Sequence, residues 1–195
     1  MINNLELIKL HLKFDSEDDF YHLQIIKRKK EHPELGSNSY VVKTYYVRSA
    51  EYLDKKMPEI IALCEFHNAR ACINLNRRSF EKMAFHLLRK VADQIMNKDF
   101  KSARKAYESV CGAYANEPEK KWIVDIDIKD ESLVLEMVNF IQTLQPNTGY
   151  HKALFQLETK NGYHLITSAF RLDEFNKKYP GIEVHKDNPT ILVIP

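Results

Sequence analysis

The 195-residue chain contains no uninterrupted apolar span, and its opening stretch, MINNLELIKLHLKFDSEDD, lacks the basic-then-apolar layout of a secretory signal. Neither a membrane-spanning nor an exported protein is expected, so the reading is a cytoplasmic protein, in a cell or in a phage-infected host. An excess of one charge sign is lacking too. Lys and Arg number 29 against 27 Asp and Glu, a net charge of +2, so no overall field calls for a nucleic acid or an anionic membrane. The three cysteines, Cys64, Cys72 and Cys111, are far apart and form no CxxC, which argues against a zinc site and for buried, reduced thiols. There is no repeat and no low-complexity tract. No G-x-x-x-x-G-K-[ST] marks a P-loop ATPase, and no H-x-H pair marks a rolling-circle initiator.

What is present reads as an ordinary globular chain, long enough for one mixed domain or two small units sharing a core. In the first half, FYHLQIIK and YVVKTYYV read as strands around a Pro-, Gly- and Ser-containing loop at 30–39. Ser49 is the expected N-cap of a helix through AEYLDKKMPEIIALCEFHN, with Pro58 predicting a late start or a kink. ARACINLN reads as a strand. Ser79 should cap a helix with Met83, Leu87, Val91 and Ile95 at spacing four, and KSARKAYESVCGAYA predicts another before the turn NEPEKK.

The second half is more regular. KKWIVDID predicts a strand and ESLVLEMVNFIQTLQ an amphipathic helix, ended by Pro146 and the NTG turn. HKALFQLE and YHLITSAF read as strands joined at TKNG, LDEFNKKYPG as a short helix, and IEVHK and TILVIP as closing strands. The order is β-α-β-β-α-β, the ferredoxin-like or RRM-like pattern. The expected fold class is therefore α/β (α+β), an N-terminal α/β unit over 1–118 packed on an RRM-like half over 119–195.

Inside WIVDIDIKD, alternation puts Trp122, Val124, Ile126 and Ile128 on one face and Asp125 and Asp127 on the other. Two carboxylates that close repel each other unless a cation intervenes, and Mg²⁺ or Mn²⁺ prefer such oxygen ligands. The competing reading is a solvated outer face, with both acids paired to lysines. TKNGYH then offers His164 beside Lys160 and Gly162, in a turn where backbone can approach phosphate, or else forms an ordinary hairpin with a surface histidine. VHKDNPTILVIP supplies Asp187, which is a metal ligand or a turn residue ahead of Pro189.

These three elements, in this order on this frame, resemble the archaeo-eukaryotic primase superfamily of primase-polymerases. That family is marked by an apolar strand with D-x-D, a small residue–x–His element, and an acid ahead of an apolar stretch. The resemblance implies a nucleotidyltransferase that adds nucleoside triphosphates on a single-stranded DNA template with two divalent metals. It implies Asp125, Asp127 and Asp187 as metal ligands and His164 as the contact to the triphosphate. Lys160 could add charge at the phosphates. A phage or plasmid replication role and a helicase or other replication partner fit the same picture. Against the family pattern, Pro195 follows immediately on the third element, and no zinc module or helicase domain is expected from these residues.

Other cationic features are Arg77 and Arg78, at a strand end before a helix N-terminus where phosphate sites form, or else in structural ion pairs, and the run KRKK at 27–30. Most of the Tyr and Phe residues, Tyr40, Tyr45, Tyr46 and Tyr163 among them, read as packing positions rather than base-stacking platforms. Two rivals stand beside the primase reading. A PD-(D/E)xK nuclease would use Asp127, Glu158 and Lys160, although a full helix separates the first from the other two. An inactive RRM-like module would bind nucleic acid or protein on the sheet face.

Overall fold

The computed structural model describes residues 1–36, 38–115, 120–147 and 149–195. The 118/119 boundary, most of the NEPEKK turn, Ser37 of the 30–39 loop and Thr148 of the NTG turn lie outside the described residues. In chain order the first half holds β1 (Ile2–Asn3), α1 (Leu5–Lys9), β2 (Asp19–Lys27), a 3-10 turn (Pro33–Leu35), β3 (Tyr40–Val47), α2 (Ala50–His67), β4 (Arg70–Asn74), β5 (Arg78–Ser79), α3 (Phe80–Met96), α4 (Phe100–Ala103) and α5 (Ala106–Ala113). The second half holds β6 (Trp122–Ile126), α6 (Glu131–Thr143), β7 (Ala153–Glu158), β8 (Tyr163–Thr167), α7 (Leu172–Lys178), β9 (Glu183–His185) and β10 (Pro189–Ile194). The protein is a mixed α+β fold with two antiparallel sheets. One runs β1-β10-β4-β2-β3 with β5 on the flank of β2, the other β7-β8-β6-β9. Among the described residues no helix is long and apolar enough to cross a membrane.

The helix caps follow local chemistry. Ser49 Oγ accepts from the Tyr52 amide at 3.0 Å and Ser79 Oγ from the Lys82 amide at 3.2 Å, satisfying donors that a first turn leaves orphaned. Contrary to the expectation from Pro58, α2 starts directly after its cap and continues through the proline. Leu53, Met57, Ile60 and Cys64 form its buried stripe, and Pro58 lies on the exposed side. Burial of that stripe outweighs the one intrahelical bond that proline removes. The single helix predicted over KSARKAYESVCGAYA is instead divided into α4 and α5. Of the stripe predicted on α3, Met83 is buried while Ile95 faces solvent.

The two sheets share one core. Leu23, Ile25, Ala71 and Ile73 of the first pack with Ile123, Leu157 and Ile166 of the second. A separate cluster under α6 and α7 takes Val124, Ile126, Met137, Ile141, Leu165 and Phe175. β6 is thus covered on both sides by alternate residues. Val124 and Ile126 turn to the helices, and Ile123 turns toward the first sheet, carrying Asp125 on the same face. Ile128 does not extend the apolar row, because β6 ends at Ile126 and Ile128 is exposed. The final strand also departs from the simple reading. β9 pairs with β6, whereas β10 pairs with β4 and β1, so the chain's end returns to the first sheet.

Candidate functional site

The face of β6 that carries Asp125 opens onto a cleft of about 400 Å³ between the two sheets. Asp125 and Asp127 both line it, Asp125 half-buried and Asp127 exposed just past the strand end. Asp125 pairs in register with His164 on β8 and with Glu183 on β9. His164 Nε2 lies 3.4 Å from Asp125 Oδ1. The hydrogen bond from His164 holds the Asp125 carboxyl below its ordinary pKa; burial pulls the other way but loses, and His185 and Arg28 add to the lowering. Asp125 therefore stays ionised throughout the neutral range.

The other ring nitrogen of His164, Nδ1, lies 2.7 Å from Thr190 Oγ1, and Thr190 is fully buried at the start of β10. A residue of the first sheet thereby fixes the ring that faces the acid on the second. Sequence reasoning missed Thr190, since only the crossing of β10 into the first sheet brings it there.

The small residue before His164 has a steric cause. A Cβ on Gly162 would fall 1.9 Å from the Ile126 carbonyl oxygen and 2.6 Å from the Ile128 amide nitrogen. The turn closes through Thr159, whose amide donates to the Gly162 carbonyl at 2.9 Å and whose Oγ1 accepts from the Gly162 amide at 3.1 Å. Gly162 thus lets the β7–β8 connection lie on the backbone that carries Asp127, and it does not line the cleft.

Lys160 and Asn161 of this turn do line the cleft, opposite residues of the first sheet. Arg28 and Arg70 reach it from β2's end and from β4, with Arg70 ion-paired to Glu31. Arg28 comes from the KRKK run, where the alternation of β2 through Ile26, also in the cleft wall, could have singled it out. Ile123 and Ile191 supply apolar wall, and His185 contributes from β9.

Other expected site residues are elsewhere. Asp187 does not line the cleft: its carboxylate receives Arg78 Nη1 at 3.2 Å and Nη2 at 3.1 Å, and Asn76 Nδ2 at 3.0 Å. Its neighbour Asn188 lines the cleft instead. Arg78 is wholly buried and also donates to the Cys111 carbonyl at 2.8 Å, so it has no face for a phosphate. Arg77 is buried against Asp15 and Asp19. Both arginines take the structural alternative, because a buried guanidinium is held by carboxylates and carbonyls. Glu158 is likewise outside the cleft, its carboxylate 2.8 Å from Lys129 Nζ. None of Tyr40, Tyr45, Tyr46 and Tyr163 lines the cleft; Tyr45 and Tyr46 donate their hydroxyls to Glu59 and Glu108.

Among the described residues no cluster of three or more His, Cys, Asp or Glu side chains is arranged to hold a metal. The carboxylates of the cleft are Asp125, Asp127 and Glu31, the last held by Arg70, with His164 and His185 beside them. Oxygen ligands so few and so open would suit Mg²⁺ or Mn²⁺ that retains waters, rather than an ion enclosed by protein. In comparisons with protein-family models, curated proteins and solved structures, nothing matches this chain.

Proposed function

We propose that the protein is a template-directed nucleotidyltransferase of the primase-polymerase kind, acting on nucleoside triphosphates along single-stranded DNA. The observation that carries this reading is the convergence of Asp125, Asp127, His164, Lys160 and Arg28 on one cleft. Acids and cations together suit a metal–triphosphate complex, which needs oxygen ligands for the ion and donors for the phosphates. The sheet order β7-β8-β6-β9, antiparallel throughout with α6 and α7 as its crossovers, supports an RRM-like arrangement of the second half.

In this reading Asp125 and Asp127 hold Mg²⁺ or Mn²⁺. The ion would neutralise charge on the transferring phosphoryl group and help form the attacking oxygen nucleophile. The chain's own residues do the rest. The Lys160 and Arg28 side chains donate to triphosphate oxygens, and His164, turned by Thr190, joins them through Nε2 once the Asp125 carboxylate turns from it to the ion, while Ile26, Ile123 and Ile191 exclude water from the cleft walls. Asp187, whose carboxylate is taken by Arg78 and Asn76, is not among the ligands in this reading. The nuclease reading is the weaker, since Glu158 is turned to Lys129. A cytoplasmic replication role in a phage or plasmid, with a helicase or other replication partner, belongs to the same proposal.

The test is a denaturing gel of primed and unprimed single-stranded DNA with labelled nucleotides and Mg²⁺ or Mn²⁺, comparing wild type with Asp125→Ala/Asp127→Ala. Product from wild type alone is expected. Intact templates and no product under every condition would sink the reading, and shortened templates would move it to nuclease chemistry.

A further inference from the structure

We infer that the outer face of α3 is a docking seam for an acidic amphipathic helix of a partner protein. α3 buries Met83 and Gln94, with Met83 in the small core of Phe20, Val110 and Cys111. Its opposite side is also apolar. Phe85 is 68% exposed, Leu88 71%, Ile95 54% and Met96 81%, and Phe100 follows at the start of α4. A surface helix ordinarily presents charge on that side.

The spacing specifies the shape of the occupant. Phe85, Leu88, Ala92 and Ile95 recur at intervals of three, four and three, the a/d seam that a second helix fills, over about 15 Å of helix axis. Ala92 lies mid-seam and is exposed, which permits close approach of a partner backbone. Positions flanking such a seam choose the partner's charge, and within α3 the charged one is Arg89, beside Ala84, Val91 and Met96, while Lys98 follows just past the helix end. Over residues 80–105 Lys and Arg outnumber Asp and Glu seven to three, in a chain whose whole net charge is +2. Arg89, Lys90, Lys98, Lys101, Arg104 and Lys105 are exposed, and among the described residues none is held in an ion pair. A second copy laid on this face would set cation against cation, which disfavours self-pairing. A helix with leucines at a and d and glutamates beside them satisfies both the apolar stripe and the charges.

The test uses the full chain and a fluorescent designed helical peptide with Leu at a and d and Glu at e and g. A counterpart with Lys at e and g and vesicles of phosphatidylglycerol run beside it. The Glu peptide should bind at least about tenfold more tightly than the Lys peptide. Leu88→Ser/Ile95→Ser should weaken it by about tenfold or more with an unchanged melting temperature, because both side chains are already in solvent. Arg89→Glu should reverse the peptide preference. Equal binding of the two peptides, or indifference to Leu88→Ser/Ile95→Ser, overturns the inference. So does vesicle binding without peptide binding, which would assign the face to a membrane, or self-association lost in Leu88→Ser, which would assign it to a second copy.

Discussion

His164 and Asp125 face each other across β8 and β6, Nε2 to Oδ1 at 3.4 Å, while the same ring is tied through Nδ1 to Thr190 at 2.7 Å. Thr190 comes from the other sheet, so the orientation of the histidine depends on how the two sheets are joined. A ring nitrogen held by a buried hydroxyl sets which nitrogen carries the proton.

Thr190→Val preserves shape and removes that hydroxyl. It should cost about 1 kcal/mol in urea unfolding and leave His164 Nδ1 without its partner, the ring then held through Nε2 by Asp125 alone. Imidazole ¹⁵N shifts report this directly, and a spectrum identical to wild type would show that Thr190 does not orient the ring.

Gly162→Ala should push the turn off the Asp127 backbone. The added Cβ meets main-chain atoms at 1.9 and 2.6 Å, which no side-chain rotation relieves. A loss of about 1–3 kcal/mol is expected, together with weakened Mn²⁺ binding measured by calorimetry. Unaltered Mn²⁺ binding in a destabilised variant would separate Gly162 from the acidic pair.

Asp187→Asn separates a structural role from a metal-binding one. With Arg78 wholly buried and Asp187 its carboxylate partner, removing the charge should cost about 3 kcal/mol of stability. Arg78→Met/Asp187→Leu should recover part of that loss. A variant as stable as wild type that has lost Mn²⁺ binding would instead return Asp187 to the metal.

Acid stability should register Glu59. Its carboxylate receives Lys43, Lys56 and the Tyr45 hydroxyl, and these hydrogen bonds, Lys43 foremost, bring its pKa from 4.5 to about 2. A carboxyl depressed in the folded state contributes stability that is full above its unfolded pKa and lost as pH falls through the folded one. Glu59→Gln should therefore be less stable than wild type at pH 7, and the gap should close between about pH 4.5 and pH 2. A gap that persists at pH 2 would mean that packing, not charge, makes the difference.

Much of the architecture was legible in local sequence. Ser49 and Ser79 announced their helices because a hydroxyl one turn ahead of an amide satisfies an orphaned donor, an interaction spanning three residues. The alternation of β6 put Asp125 opposite Val124 and Ile126, and the Asn161–Gly162 pair marked a reversal between β7 and β8. Pro58 misled because its cost is local while the stripe that offsets it is buried by distant segments.

Tertiary structure alone decided the rest. That β10 pairs with β4 and β1, and so delivers Thr190 to His164 and Ile191 to the cleft, depends on sheet edges separated by more than a hundred residues. Arg28 and Arg70 reach the acidic pair only because the two sheets share a core. Asp187 sits in the chain as a metal ligand would, yet its carboxylate goes to Arg78, since a guanidinium with no access to water must take the nearest anion. Periodicity and capping are written within a few neighbouring residues, whereas the partner of a buried charge is chosen by what folding brings beside it.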